Sequence, residues 1–221
     1  MDTTRTDAGP NVTYACSGVV LDRLGSDVLD EQEHAHAAGI NHTGRREHFI
    51  AGRSLLRHSL SAATGHAIHP ADWQFANGKY GKPSVVPGQP QIQFNISHSE
   101  ELIALVINPV AQVGIDVELI TGTRDTGPVL YLLTRRERAW LREHSEADRW
   151  TAFLHLWTAK EAVSKATGLG VGMDFHDIEI DVPGGRARCR NGLLDIGDHM
   201  TFDRQTIAAH GATYCLSVAC L

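Results

Sequence analysis

The chain has 221 residues, with 20 Lys and Arg against 26 Asp and Glu and a formal net charge of −6 at pH 7. That length allows one large domain or two small ones sharing an interface, and no run approaches the roughly 20 apolar residues needed to span a bilayer. The negative charge argues against a nucleic-acid binder, which needs clustered Lys and Arg, so any anionic substrate requires a local basic patch. The N-terminus, MDTTRTDAGPNVTYACSG, lacks the basic-then-apolar order of a signal peptide, which points to a cytoplasmic protein. Cys16, Cys189, Cys215 and Cys220 show no CxxC pairing and read as reduced, mostly buried thiols with no zinc site.

Residues 12 to 22 read as a strand, followed by a short polar helix over SDVLDEQEHAHAAG that ends at Gly39. His34, His36 and His42 lack the i, i+4 pairing with a carboxylate base used by metalloprotease helices, and read as solvent-facing or capping residues. Thr43 is the cap expected for a longer helix whose Phe49, Ile50, Leu56 and Leu60 recur at helical spacing, with Arg46, Arg53 and Arg57 turned away from them. A segment punctuated by Gly78, Gly81, Pro83, Pro87 and Pro90 follows, then three strands, IQFNIS, ELIALVIN and QVGIDVEL. The turn NPVA predicts that the second and third strands form a hairpin.

A loop over about 120 to 128 leads to TRRE, Thr134 to Glu137, a capping box that opens the helix carrying Trp140. A long helix from about Asp148 to Thr167 should end at Gly168, and FHDIEIDV, GRARCRN, HMTFDRQTIAA and TYCLSVACL read as strands. Each half thus holds a long helix and then antiparallel strands. That order predicts an α+β fold of two similar halves with a cleft between them, alike in pattern but without a sequence repeat.

Three stretches carry chemistry. In WTAKEAVSK, helical spacing puts Trp157, Glu161 and Lys165 on one face and Lys160 about 100° away, a pattern that on spacing alone more often marks a solvated salt pair. In VGIDVE, a strand points Val113, Ile115 and Val117 one way and Gly114, Asp116 and Glu118 the other. Two carboxylates on one face repel unless they are solvated or share a hard cation such as Mg²⁺, and the adjacent glycine admits close approach of a ligand. In FNISHS, Ser97 and His98 diverge on a strand, which excludes a hydrolase dyad but leaves both able to hold a phosphate. Lys79 and Lys82 of GKYGKP add ammonium groups, while Gly168, Gly170 and Gly172 follow a helix and read as a C-cap and turn rather than a phosphate loop.

GKP, FNISHS, VGIDVE and WTAKEAVSK, in this order and spacing, resemble the signature of the 4'-phosphopantetheinyl transferases, specifically the surfactin-synthetase-activating type. The resemblance runs from about Arg45 to Gly170. It implies two similar α/β halves in a pseudo-twofold relation, residues 1–119 and 120–221, each a long helix on a mainly antiparallel sheet. It also implies a monomeric enzyme that moves phosphopantetheine from coenzyme A to a serine of an acyl or peptidyl carrier protein, in fatty acid, polyketide or nonribosomal peptide synthesis. Asp116, Glu118 and Glu161 would hold Mg²⁺, or Mn²⁺, and Glu161 would take the serine proton. Lys160 and Lys165 would flank the phosphates, with Lys165 steadying the developing charge, and Ser97, His98, Asp116, Lys82 and Arg53 would complete the coenzyme A contacts. Trp157 is expected to pack α-helix against first half, and Arg135, Arg136, Arg138 and Arg142 offer a basic docking surface or a solvated helix face. The competing readings are a catalytically silent module that binds coenzyme A or a carrier, and a metal-dependent hydrolase of nucleotide pyrophosphates.

Overall fold

The computed structural model describes residues 2–4, 10–78, 81–168, 174–191 and 194–221. The chain enters through β1 (Asp2–Thr4) and β2 (Asn11–Cys16), passes helices α1 (Ser17–Leu24), α2 (Glu31–Gly39) and α3 (Thr43–Ala63), and makes a small hairpin of β3 (Phe75–Asn77) and β4 (Pro83–Val85). It continues as β5 (Gln93–Ser99), β6 (Leu102–Asn108) and β7 (Val113–Leu119), then α4 (Arg135–Arg142) and α5 (Glu146–Thr167). Strands β8 (Ile178–Asp181), β9 (Arg186–Asn191), β10 (Leu194–Ala209) and β11 (Ala212–Cys220) close it. Helices packed on antiparallel sheets make this an α+β fold.

The two larger sheets have orders β1-β2-β6-β5 and β7-β11-β10-β9-β8, and all their pairings are antiparallel. Strand β6 is buried on both faces, as its continuous apolar run requires. Its Ile103, Leu105 and Ile107 meet Leu55, Leu56 and Leu60 of α3, whereas Leu102, Ala104 and Val106 meet Val113, Ile115 and Val117 of β7. Helix α5 covers the outer face of the second sheet. The layers therefore run helix, sheet, sheet, helix, with an apolar seam between the sheets.

Several expectations are corrected here. Residues 17–22 are helical, because Val20, Leu21 and Leu24 recur at helical spacing beneath the first core. His42, whose ring accepts from Arg45 N, caps α3 in place of Thr43. Strands β6 and β7 do not form a hairpin: both edges of β6 are taken, by β2 and β5, and β7 pairs with β11. Asn108 Oδ1 accepts from the N–H groups of Val110 and Ala111, a turn that carries the chain from one sheet to the other. The sheets thus divide at 109–112, before β7 rather than after it.

The two long helices are fastened in the same way. Arg57 of α3 has no exposed surface and pairs with Glu33, the third residue of the Asp30 capping box that opens α2, at 2.8 Å. Its remaining N–H groups reach Asp30 and the carbonyls of Pro70, Ala71 and Trp73. Lys160 of α5 pairs with Glu137, the third residue of the Thr134 capping box that opens α4, at 2.9 Å, both side chains fully buried. It also donates to the carbonyls of Phe175 and Ile178. A local likeness too short to be a repeat accompanies this: SAATG, Ser61–Gly65, and SKATG, Ser164–Gly168, differ at one position, and each glycine stands eight residues after the buried cation with positive φ. No helix among the described residues is long and apolar enough to cross a membrane.

Candidate active site

Strands β5 and β7 are edges of different sheets lying side by side without a backbone ladder between them. Alternate residues of β5 bridge the gap, because period-two geometry sends Asn95, Ser97 and Ser99 to one face. Asn95 Oδ1 accepts from Ile115 N at 3.0 Å, and Ser99 Oγ accepts from Leu119 N at 3.0 Å while donating to Glu118 Oε2 at 3.2 Å. Between them Ser97 Oγ donates to Asp116 Oδ1 at 2.8 Å.

Helix α5 approaches β7 from the other side. A methyl group at Gly114 would sit 2.0 Å from Ala162 O and 2.4 Å from Ala166 N, so this glycine admits a helix backbone rather than a ligand. The contact seats Lys165 on Asp116 and brings Glu161, one turn earlier, within the field of Asp116. Lys165 Nζ lies 2.6 Å from Asp116 Oδ1, 3.1 Å from Ser97 Oγ and 3.2 Å from Ile115 O, with 28% of its side chain exposed.

Burial raises the proton affinity of Asp116, and Lys165 and Ser97 partly offset it. Glu118 is raised by burial and by Asp116, against the opposing hydrogen bonds of Ser99 and Trp157. Glu161 is raised by burial, then by Asp116, with Lys165 opposing and Glu118 adding. The three carboxylates therefore share one field and disfavour one another's charge. Among the described residues no three metal-ligating side chains converge on one point, and the Lys165 ammonium is the cation on Asp116. The donor set still fits a divalent cation: Asp116 Oδ2 is buried without a hydrogen-bond partner, and two further half-buried acids stand beside it.

The remaining predicted residues are placed as follows. Lys82 donates to Val113 O at 2.9 Å and Ala166 O at 3.3 Å, at the C-terminal end of α5, and burial pushes its ammonium down to about 8. His98 turns away from Ser97 toward α3, where its ring meets that of His48 at 5.1 Å, and burial lowers its proton affinity. Arg53 pairs with Glu33 at 2.7 Å and stacks over Phe75, beside a cleft of about 380 Å³ lined also by Phe49, Asn77 and Pro83. A cavity of about 570 Å³ lies elsewhere, between residues 123–126 and the start of α5, and its lining holds none of the predicted site residues.

Two expectations change. Lys160 lies apart from the cluster, since all three of its ammonium donors are spent inside the second half on Glu137, Phe175 O and Ile178 O. Trp157 packs against Phe153 and Phe175 of the second half rather than against the first. Arg135, Arg136 and Arg142 are exposed, Arg136 meets Glu179 at 3.5 Å, and Arg138 is half-buried on Leu133 O. Lys79, Gly170 and Gly172 lie outside the described residues, while Gly168 is a left-handed C-cap as expected. Sequence reasoning missed Asn95, Ser99 and His48; the alternation of Asn, Ser and Ser in NISHS is the signal that could have found the first two.

Comparison with known proteins places this geometry. The profile of the 4'-phosphopantetheinyl transferase superfamily matches residues 112–219. The 4'-phosphopantetheinyl transferase HetI of Nostoc sp. (strain PCC 7120) is 31% identical over 185 residues, covering 77% of each chain. AcpT of Escherichia coli K12 is 33% identical over 137 residues, 56% of this chain and 59% of that one. The transferase of Bacillus subtilis is 30% identical over 151 residues, 63% and 65%. The chain belongs to the 4'-phosphopantetheinyl transferase family and is an enzyme of that class.

Proposed function

We propose that this enzyme is of the surfactin-synthetase-activating type and transfers 4'-phosphopantetheine from coenzyme A to a serine of an acyl or peptidyl carrier protein. The observation that carries the reading is the buried Asp116, joined to Ser97 and Lys165, with one carboxylate oxygen unpartnered and Glu118 and Glu161 sharing its field. Two similar halves in a pseudo-twofold relation, meeting at the seam between β5 and β7, are supported by the common strand order and the repeated cation fastening. One chain would then supply a whole site, which favours a monomer.

In this reading the serine oxygen attacks the β-phosphorus of coenzyme A, the bond to the leaving 3',5'-ADP breaks, and the serine proton passes to Glu161. A half-buried carboxylate with raised proton affinity suits that task, because its basicity lies nearer the working pH. Lys165, partly exposed and already seated on Asp116, balances charge that develops on the phosphoryl oxygens. Asp116, Glu118 and Glu161 would hold Mg²⁺ or Mn²⁺, which would neutralise the pyrophosphate. Ser97 would face the phosphates beside Asp116, His98 would meet them from the α3 side next to His48, Lys82 would add charge at the end of α5, and Arg53 with Phe75 would take the nucleotide end. The exposed arginines of α4 are the candidate docking face for an acidic carrier.

The test is intact-mass spectrometry of apo carrier proteins incubated with the enzyme and coenzyme A, with Mg²⁺ or with chelator. A metal-dependent gain of one phosphopantetheine on a carrier is the expected result. Release of 3',5'-ADP without any carrier present would instead mark a pyrophosphate hydrolase.

A further inference from the structure

Lys160 stands next to Glu161 in the chain, yet the two side chains serve different parts of the molecule. The Lys160 ammonium is fully buried and its three donors are matched by three acceptors, Glu137 Oε2, Phe175 O and Ile178 O. Glu137 is equally committed: Oε2 also accepts from Thr134 N at 2.8 Å, and Oε1 accepts from Ile180 N at 2.8 Å. One ion pair thus ties α5 to the first turn of α4 and to the start of β8. On another flank of the helix, Ala162 and Ala166 press their backbone on Gly114.

We propose that the buried Lys160–Glu137 pair is a positioning device for the reaction, fixing the rotation of α5 about its axis so that Glu161 and Lys165 meet Asp116. The inference rests on the transferase reading given above. Helical side chains end about 5–6 Å from the axis, so a rotation of about 10° carries a carboxylate roughly 1 Å. Gly114 sets how near the backbone of α5 comes to β7, and Lys82 joins the two at Val113 O and Ala166 O, but neither contact ties the helix to α4 or β8. A charged side chain with every donor matched does, and it resists turning, because rotation would strand a buried ammonium and a buried carboxylate together.

The first half holds the comparison within the same molecule. Arg57 and Glu33 repeat the arrangement on α3, but the residue after Arg57 is His58, and Ala62 stands where Lys165 does. The pair is therefore part of the scaffold of both helices, and only in α5 does the helix it aligns carry an acid and a lysine for chemistry.

The experiment compares the wild-type enzyme with Lys160→Met/Glu137→Gln, in which Gln can keep the helix cap. Circular dichroism and thermal unfolding establish the folded fraction, and kcat and KM for coenzyme A are measured on a carrier the wild type modifies. The expected result is a folded variant with kcat lowered about tenfold to a hundredfold, as a displacement near 1 Å produces, and KM changed less than about threefold. A kcat per folded molecule within about twofold of wild type would overturn the proposal, because a purely structural pair lowers the unfolding temperature alone. If the double variant does not fold, Glu137→Gln alone decides, and an unchanged kcat in that single variant overturns the proposal equally. Failure of the wild type itself to modify any carrier would instead overturn the transferase reading.

Discussion

Helices α3 and α5 are built alike and used differently. Each covers the outer face of its own sheet, is followed within two residues by a glycine with positive φ, and is pinned by a buried cation to the capping glutamate of the short helix before it. They differ in how near they come to a strand. A methyl group at Gly52 of α3 would meet Ile96 at an ordinary 3.7 Å, whereas α5 meets β7 backbone to backbone at Gly114. A common frame carries the helix, and one small residue on the strand brings Lys165 onto Asp116 and Glu161 into the field of the β7 carboxylates.

The largest expected effect is chemical. Glu161→Gln should lower transfer roughly 10²–10⁴-fold while leaving the fold intact, as loss of a general base does. His58→Gln at the matching place in α3 should leave transfer within about twofold, so equal losses in the two variants by intact-mass assay would break the comparison. The frame itself comes next. Arg57→Met leaves Glu33 to Arg53 alone and strips the carbonyls of Pro70, Ala71 and Trp73 of their donor, and should cost about 3–5 kcal/mol in urea unfolding; a cost below about 1 kcal/mol would mean that the first pair is dispensable.

Gly114→Ala should cost about 3 kcal/mol, near 6–12 °C in Tm, because the new methyl meets backbone that cannot give way. Gly52→Ala should instead stabilise by up to about 1 kcal/mol, since a mid-helix glycine is replaced with ordinary contact. Similar Tm shifts in the two would remove the distinction drawn between the helices.

The smallest effect concerns the acids. Burial and Asp116 raise the proton affinity of Glu118 above its unfolded value, so ionising it destabilises the folded state as pH rises from the unfolded pKa through the folded one. In chelator at neutral pH, Glu118→Gln should therefore raise Tm by about 1–3 °C, and the gain should vanish below about pH 4. Added Mg²⁺ should stabilise wild type more than the variant. A variant that is less stable in chelator would show that Glu118 is not held against its charge.

Much of the site was legible because it is periodic. Asp116 and Glu118 share a strand face, and Glu161 and Lys165 share a helix face, whatever surrounds them. The capping box at Thr134 and the stop at Gly168 were equally local. The β6–β7 hairpin was misread because the turn NPVA suits a hairpin, yet β6 had both edges filled by strands from elsewhere in the chain. Lys160 was misread for a similar reason: its spacing from Glu161 is ordinary, and Glu137 and the carbonyls that bury it come from other elements. Gly114 was read as leaving room for a ligand because the strand alone does not reveal the helix that fills the space.

By itself the sequence determined which residues share a face of a strand or helix, the cap at Thr134 and the stop at Gly168, and the four short stretches that mark the family, since backbone periodicity and capping act within a few residues. Tertiary structure alone decided which strand edges pair, that Asn95, Ser97 and Ser99 bridge two sheets to reach β7, and that Lys165 meets Asp116 while Lys160 turns away. A strand edge or an ammonium group takes whichever partners burial leaves it, and those partners lie far along the chain.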